Sequence, residues 1–167
     1  MANTIRYTIS ETALGDTLVA YSDRGICALF MDSDREHMVA ELSKAFPEHQ
    51  LQEDASDPLA LAAKVGQVIA DPKVDIEVPL DMHGSTFQKR VWQALCAIPP
   101  GQTRSYTQVA ETLAMPKGAR AVARACATNL ISVLVPCHRV VGKKGALSGY
   151  RWGLSRKSKL LALEGAR

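Results

Sequence analysis

The sequence predicts an α+β protein of two domains, an acidic α/β domain over residues 1–84 and a basic, mostly helical domain over residues 85–167. The first part has 15 Asp and Glu against six Lys and Arg, whereas the second has two acids, Glu111 and Glu164, against 14 basic residues. β-prone apolar runs lie in the first part, and helical spacing dominates the second. So few acids in one domain favour binding of a polyanion such as nucleic acid, although attraction between the two halves is an alternative reason for the asymmetry.

The acidic domain is expected to hold a small antiparallel sheet of three strands with helices. Two apolar runs flank the turn residues SDRG and predict a hairpin at residues 16–22 and 25–31. Apolar residues at helical spacing predict two helices at residues 34–46 and 57–70. Asp57 would cap the second helix. A short strand that runs into a linker is expected at residues 74–85.

The basic domain is expected to contain three helices before residue 130, at residues 85–98, 105–114 and 116–129. Ser85 or Thr86 would cap the first and Ser105 the second. The tight MPKG turn between the second and third helices predicts a helix-turn-helix-like unit. Arg120 and Arg124 are four residues apart on the third helix and share a face, which suits DNA but is also typical of an ordinary solvated helix.

The stretch VLVPCHRVVG places a thiol beside an imidazole after an apolar run. Residues 130–135 predict a buried strand, and Pro136 would end it and present Cys137 at a turn. His138 could activate the thiol through a bridging water, because neighbouring side chains usually diverge. A buried, purely structural Cys-His pair is the alternative. The four cysteines form no C-x-x-C pair, so we expect neither a disulfide framework nor a metal site.

Three segments together resemble the O6-alkylguanine-DNA alkyltransferases: TFQKRVWQALCAIPPGQTRSYTQVA, PCHRVVG and LSGYRWGLSRKSKLLALEG. The resemblance is strongest from residue 78 onward and extends weakly to SDRGICALFM. It implies a ribonuclease-H-like first domain and a winged-helix-like DNA-binding second domain. It also implies a DNA repair reaction in which the protein flips an alkylated guanine out of the duplex and transfers the alkyl group irreversibly to its own cysteine, once per molecule.

The resemblance implies the following roles in that reaction. Cys137 is the acceptor, His138 its base, and Glu164 the group that holds the imidazole. Asn129 ties the recognition helix to the active-site turn, and Tyr106 crowds the phosphate and contacts the extruded base. Arg120 enters the minor groove and fills the vacated space. Further DNA contacts are expected from Arg124, Ala121 and Ala127, and the pocket from Tyr150, Val140, Trp152 and Arg151.

The main chains of Cys137 and Val140 would read the guanine amino group. Arg151 and Trp152 replace serine and glycine of some relatives, which would crowd the pocket against bulky adducts. Without the resemblance, Arg120 could simply neutralise phosphate, Tyr106 could be a core residue, Asn129 a helix cap and Glu164 a surface acid.

Two other functions remain open at this point. A non-catalytic lesion binder of the same shape would lack the cysteine, and Cys137 is present. A cysteine hydrolase would turn over and would need no basic helix. The chain shows no secretory signal and no run of the roughly 20 apolar residues that span a bilayer, so a cytoplasmic protein that does not enter membranes is expected. We expect no cofactor, double-stranded DNA as the partner, and a monomer, with cooperative assembly on DNA left open.

Overall fold

The chain folds as two compact units. The computed structural model describes residues 3–74 and 76–166. Its contacts divide the chain into Met1–Met82 and His83–Arg167, beside the boundary that charge predicts at Gly84. Within the described residues, no helix is both long and apolar enough to cross a bilayer.

A four-stranded sheet with the strand order β3-β2-β1-β4 forms the first unit. Its strands are β1 (Thr4–Thr12), β2 (Gly15–Ser22), β3 (Gly25–Met31) and β4 (Gln50–Glu53). The predicted hairpin is confirmed, because β2 and β3 pair antiparallel. The expectation of three antiparallel strands is corrected, since β4 pairs in parallel with β1 and makes the sheet mixed. β1 buries only Ile5 and Thr8, and β4 buries no residue, so neither strand has a strong hydrophobic pattern in the sequence.

Two helices follow the hairpin, α1 (Arg35–Ala45) and α2 (Leu61–Ala70). α1 is capped by Asp34, whose side chain accepts from the His37 amide. α2 begins four residues later than predicted, at Leu61. The N-cap position is Ala60, so the prediction of Asp57 as the cap residue is corrected, although the Asp57 carboxylate does accept from the amides of the first helical turn. The intervening residues form a turn that the helical spacing did not reveal.

Among the described residues of 74–85, which leave out residue 75, the expected strand is reduced to one parallel bridge between Leu80 and Ile26. The Ile26 amide donates to the Pro79 carbonyl at 2.9 Å. Gly25 permits this close approach, because a Cβ at that position would lie 2.4 Å from the Pro79 oxygen.

The second unit is mostly helical, as predicted. It contains α3 (Thr86–Cys96), β5 (Arg104–Ser105), α4 (Tyr106–Thr112), α5 (Ala119–Ala127), β6 (Val140–Val141) and α6 (Leu154–Leu163). β5 and β6 pair in parallel. Ser85 and Ser105 each begin a helix with a capping box, in which the serine side chain accepts from the amide three residues on and a glutamine side chain accepts from the serine amide. These local signals explain why the starts of α3 and α4 were predictable.

The strand expected at residues 130–135 is wrong. The segment is a buried series of turns in which Val133 has a φ of 69° and the Val135 amide donates to the Ile131 carbonyl at 3.0 Å. Ile131, Val133 and Val135 are buried and Leu130 and Leu134 are half-buried, but the Ile131 amide and the Val135 carbonyl bond to the side chain of Asn129, and the segment forms no named strand. A short apolar run alone cannot distinguish these two situations.

Candidate active site

Asn129 organises the turn that carries the thiol. Its side-chain oxygen accepts from the Ile131 amide at 2.9 Å, and its Nδ2 donates to the Val135 carbonyl at 3.0 Å. The same Nδ2 lies 3.3 Å from the sulfur of Cys137. Asn129 is 2% exposed, so these bonds are shielded from water. One side chain at the end of α5 therefore folds the apolar segment and places the thiol.

Cys137 begins a short 3₁₀ turn that continues through Arg139. The residue is 8% exposed. Burial raises the pKa of its thiol, while the Asn129 hydrogen bond and the charge of Lys157 oppose that effect. The thiol is thus protonated at neutral pH and needs a base before it can act as a nucleophile.

His138, the residue that follows Cys137, forms a buried pair with Glu164. Nε2 of His138 lies 2.7 Å from Oε1 of Glu164, and the two side chains are 0% and 2% exposed. Burial lowers the pKa of His138, and Glu164 counters this shift. Nδ1 of the imidazole is buried and has no hydrogen-bond partner among the described residues. The imidazole is therefore neutral at neutral pH, with one nitrogen oriented by the carboxylate and the other available as a base.

Arg139 is the second partner of the Glu164 carboxylate. The sequence did not assign a role to this arginine. Its Nε and Nη2 donate to Glu164 at 3.1 and 2.8 Å, and its Nη1 donates to the Ile98 carbonyl at 2.7 Å. Burial tends to raise the pKa of Glu164, but the hydrogen bonds from His138 and Arg139 prevail and lower it to about 2. Glu164 is consequently an anion shared by two partners. The PCHR motif contained the signal, since its arginine follows directly on the histidine.

Lys157 is a second residue that sequence reasoning missed. It is fully buried in α6, and its Nζ donates to main-chain carbonyls at 2.7 and 2.8 Å. The spacing Lys157, Leu160, Leu161, Glu164 is the i, i+3, i+4, i+7 pattern of one buried helix face. A lysine on an otherwise apolar helix face was the signal that could have revealed this buried charge.

A cavity of about 460 Å³ opens beside the thiol. Its lining residues are Tyr106, Ala123, Cys126, Ala127, Cys137, Ser148, Gly149, Tyr150 and Arg151. Cavities of roughly 300 to 1,000 Å³ hold small molecules. The walls are mostly apolar, and the polar or charged side chains among them are two cysteines, two tyrosines, one serine and one arginine.

The two tyrosines occupy different settings in this cavity. The Tyr106 hydroxyl accepts from the Ser148 hydroxyl at 3.2 Å and donates to the Ser148 carbonyl at 3.5 Å. Burial raises the pKa of Tyr106, and it raises that of Tyr150 well above its ordinary value. Both phenols therefore remain protonated at neutral pH and can donate a hydrogen bond.

Two of the four residues predicted for the pocket, Trp152 and Val140, lie behind its surface. Trp152 is 6% exposed, and its indole donates to the Ser132 hydroxyl at 3.1 Å. Val140 is fully buried; its amide donates to the Cys137 carbonyl and its own carbonyl accepts from Lys157. Neither residue is among those that line the cavity, whereas Arg151 is, with its guanidinium 5.1 Å from the Trp152 ring centre. Arg151 alone is thus placed to crowd the cavity directly.

Helix α5 joins the cavity to an exposed basic surface. Arg120, Arg124 and Ala127 are exposed, and Ala121 is half-buried. Ala127 also lines the cavity, whereas Ala121 and Arg124 line a shallow depression beside the start of α3. Four of the five predicted DNA-contacting residues are therefore on one short helix that also forms a wall of the pocket, and the fifth, Tyr106, begins α4.

Comparison with known proteins gives consistent matches over both units. The model of the 6-O-methylguanine DNA methyltransferase ribonuclease-like domain matches residues 5–82, and that of the DNA-binding domain matches residues 86–166. The chain is 45% identical over 163 residues to the bifunctional transcriptional activator/DNA repair enzyme Ada of Escherichia coli, covering 96% of this chain but only 45% of Ada. A methylated-DNA–protein-cysteine methyltransferase of Mycolicibacterium paratuberculosis is 49% identical over 111 residues, covering 65% of this chain and 67% of that protein.

Solved structures resemble the chain over nearly its whole length. The Mycobacterium tuberculosis O6-methylguanine methyltransferase matches with a TM-score of 0.81 and 32% identity, covering 98% of this chain and 94% of that one. The M. tuberculosis OGT in complex with DNA matches with a TM-score of 0.80 and 33% identity, covering 96% of this chain and 92% of the other. The expectation of an α+β fold with a ribonuclease-like first domain and a DNA-binding second domain is confirmed.

Proposed function

The chain belongs to the 6-O-methylguanine DNA methyltransferase family, and on that premise we propose that it repairs DNA by moving an alkyl group from guanine O6 to its own Cys137. The observation that carries this proposal is that Cys137 lines a cavity and is followed directly by His138, whose imidazole forms a buried pair with Glu164. The chain spans just under half the length of Ada.

The proposed transfer begins with removal of the thiol proton. Nδ1 of His138 would take it through a bridging water, and Glu164 would stabilise the imidazolium at Nε2. The thiolate then attacks the alkyl carbon, forming a carbon–sulfur bond while the bond from that carbon to O6 breaks. The electron pair of the broken bond remains on the guanine, and the released proton neutralises it. A thioether is stable in water, so each molecule acts once.

The alkylated base must leave the duplex to reach a thiol at the bottom of a cavity. We place the DNA minor groove against α5, whose exposed Arg120 and Arg124 supply positive charge and whose other side lines the cavity. Arg120 would enter the groove and replace the extruded base, and Tyr106 would contact the flipped nucleotide. The protein would act in the cytoplasm as a monomer. Cooperative binding of several copies along DNA would be tested by measuring how affinity depends on the length of the DNA.

Methyl transfer is tested by mass spectrometry after mixing the protein with a duplex that contains O6-methylguanine. We expect one methyl group per molecule, on the peptide that carries Cys137, and no further demethylation once the protein is consumed. Binding to the lesion without any transfer would support a lesion-binding protein instead. Catalytic turnover of a thioester or amide substrate would support a cysteine hydrolase.

Replacement of Arg120 by alanine is expected to slow repair in duplex DNA about tenfold or more, with a much smaller effect in single strands. The reason is that extruding a paired base costs a few kcal/mol, which a single strand largely avoids. The measurement is the single-turnover rate constant on the same sequence in both forms. Arg124→Ala is the matched control, since it removes an equal charge one turn away and should weaken binding to both forms and reduce its salt dependence. Equal slowing of duplex and single-strand repair by Arg120→Ala would contradict the assignment.

A further inference from the structure

Arg151 brings a charged group to the wall of the cavity. Of the side chains that line the cavity in the described part of the chain, it is the one that is ionised at neutral pH. The two cysteines and two tyrosines in the wall keep their protons, because burial raises the pKa of each. The remaining lining residues carry no ionisable group. One arginine therefore sets the sign of the charge in this cavity.

Trp152 holds the guanidinium group of Arg151 in place. The guanidinium carbon lies 5.1 Å from the centre of the Trp152 ring, which is within the range of a cation–π contact. The ring itself is fixed, since Trp152 is 6% exposed and its indole nitrogen donates to the buried Ser132 hydroxyl at 3.1 Å. A guanidinium that stacks on an aromatic face keeps its N–H groups along its edge, and this edge fits the two oxygens of a carboxylate.

Acidic side chains do not offset this positive charge inside the cavity. The basic domain has two acids, Glu111 and Glu164, and neither is among the residues that line the cavity. Lys157 adds a second positive charge behind the wall, because its Nζ donates to the carbonyls of Ser148 at 2.8 Å and Gly149 at 3.3 Å, two residues of the lining. A concave site bordered by charges of one sign attracts ligands of the opposite sign.

The alkyl group of the proposed substrate can supply that opposite sign. It must lie next to Cys137, which lines the same cavity as Arg151. A large apolar group would displace water from the guanidinium without replacing its hydrogen bonds, which is unfavourable. A group that ends in a carboxylate would replace those bonds with charge-assisted ones. The side chain that crowds the cavity against apolar adducts can thus bind an anionic adduct.

We propose that Arg151 makes the pocket selective for O6-alkyl groups that end in a carboxylate, of which carboxymethyl is the smallest. The inference rests on the proposed alkyl transfer and names a substrate class within it. In the transfer, the Cys137 thiolate forms a bond to the methylene carbon while the bond from that carbon to O6 breaks, and the electron pair stays on the guanine. The carboxylate is unchanged, and the product is S-carboxymethylcysteine at position 137.

The test compares duplexes that contain O6-carboxymethylguanine or O6-carbamoylmethylguanine, whose alkyl groups have nearly the same size but differ in charge. Single-turnover rate constants are measured at limiting protein concentration, so that binding and transfer both contribute, and mass spectrometry identifies the modified peptide. We expect the ratio of the two rate constants, charged over neutral, to fall about fivefold in Arg151→Gln, the upper value for an exposed ion pair. The change in this ratio cancels the different intrinsic reactivities of the two alkyl groups.

Lys159→Gln is the matched control, because it removes an exposed positive charge from α6 that does not line the cavity, and it should leave the ratio unchanged. Arg151→Lys retains the charge without the paired N–H groups and should give an intermediate ratio. An unchanged ratio in Arg151→Gln would overturn the inference, and slowing of both substrates to the same extent would show that Arg151 meets the DNA backbone instead.

An O6-methylguanine duplex tests the premise separately. Methyl transfer by the unchanged chain without any carboxymethyl transfer would overturn the selectivity and leave the proposed function standing. Absence of transfer from all three duplexes would overturn the proposed function itself.

Discussion

Cys137→Ser is expected to abolish methyl transfer, with a loss of more than about a thousandfold in the single-turnover rate. A serine hydroxyl is a far weaker nucleophile than the thiolate that His138 is positioned to generate, and the rest of the site cannot compensate. The measurement is methyl transfer from an O6-methylguanine duplex, followed by intact-protein mass. Affinity for the same duplex should be nearly unchanged, because the substitution leaves α5 and its arginines intact.

Cys126→Ser is the matched control for this experiment. Cys126 also lines the cavity, but burial and the neighbouring Cys137 raise its pKa to about 12, so it remains a thiol and a poor nucleophile. This variant should retain transfer. Loss of transfer in Cys126→Ser, with transfer preserved in Cys137→Ser, would contradict the assignment of Cys137 as the acceptor.

Glu164→Gln is expected to slow methyl transfer by about a hundredfold and to destabilise the protein by roughly 3 kcal/mol. Glutamine cannot stabilise a protonated His138, and it leaves the Arg139 guanidinium without the anion that it contacts at 2.8 Å. Rates at saturating DNA and denaturant unfolding measure the two effects. Glu111→Gln serves as the control, since Glu111 is the other acid of the second unit and is exposed on α4.

The same carboxylate makes stability depend on pH in a defined direction. The pKa of Glu164 is lowered from 4.5 to about 2, so its contribution is complete above pH 4.5 and is lost as the pH falls toward 2. The lowered pKa of His138 also makes stability fall as the pH falls. Below about pH 6.5 its imidazole takes up a proton more readily in the unfolded chain than in the folded protein. Stability should therefore decline as the pH falls from about 6.5 to 2. Glu164→Gln should flatten the part of this decline below pH 4.5, and an unchanged slope there would contradict the pairing.

Local signals explain how much of the fold could be read from the sequence. The helix starts at Ser85 and Ser105 and the cap at Asp34 depend on side chains that bond to amides a few residues away. The hairpin likewise depends on a short turn between two apolar runs. β4 could not be found in this way, because it has no buried residue and forms only by pairing with β1, some 40 residues earlier in the chain.

The residues of the candidate site likewise fall into those that could be predicted from the sequence and those that could not. Cys137 and His138 are adjacent in sequence, and a resemblance to a family added Glu164, which lies 2.7 Å from the imidazole. No spacing rule could show that Asn129 would fold residues 130–135 into turns, since that depends on bonds between one side chain and several backbone groups. A strand was expected there because apolar character reports burial and leaves the hydrogen-bond partners undetermined.

The sequence by itself determined that this protein has an acidic and a basic part, where α1, α3 and α4 begin, and which thiol is followed by an imidazole. These properties follow from composition and from contacts between residues close in the chain. Only the tertiary structure decided that Arg139 shares the carboxylate of Glu164 and that Lys157 ties together the carbonyls around the pocket. Buried charges acquire their roles from partners that are distant in sequence, because in the low-dielectric interior those partners determine whether each charge is stabilised and what it can orient.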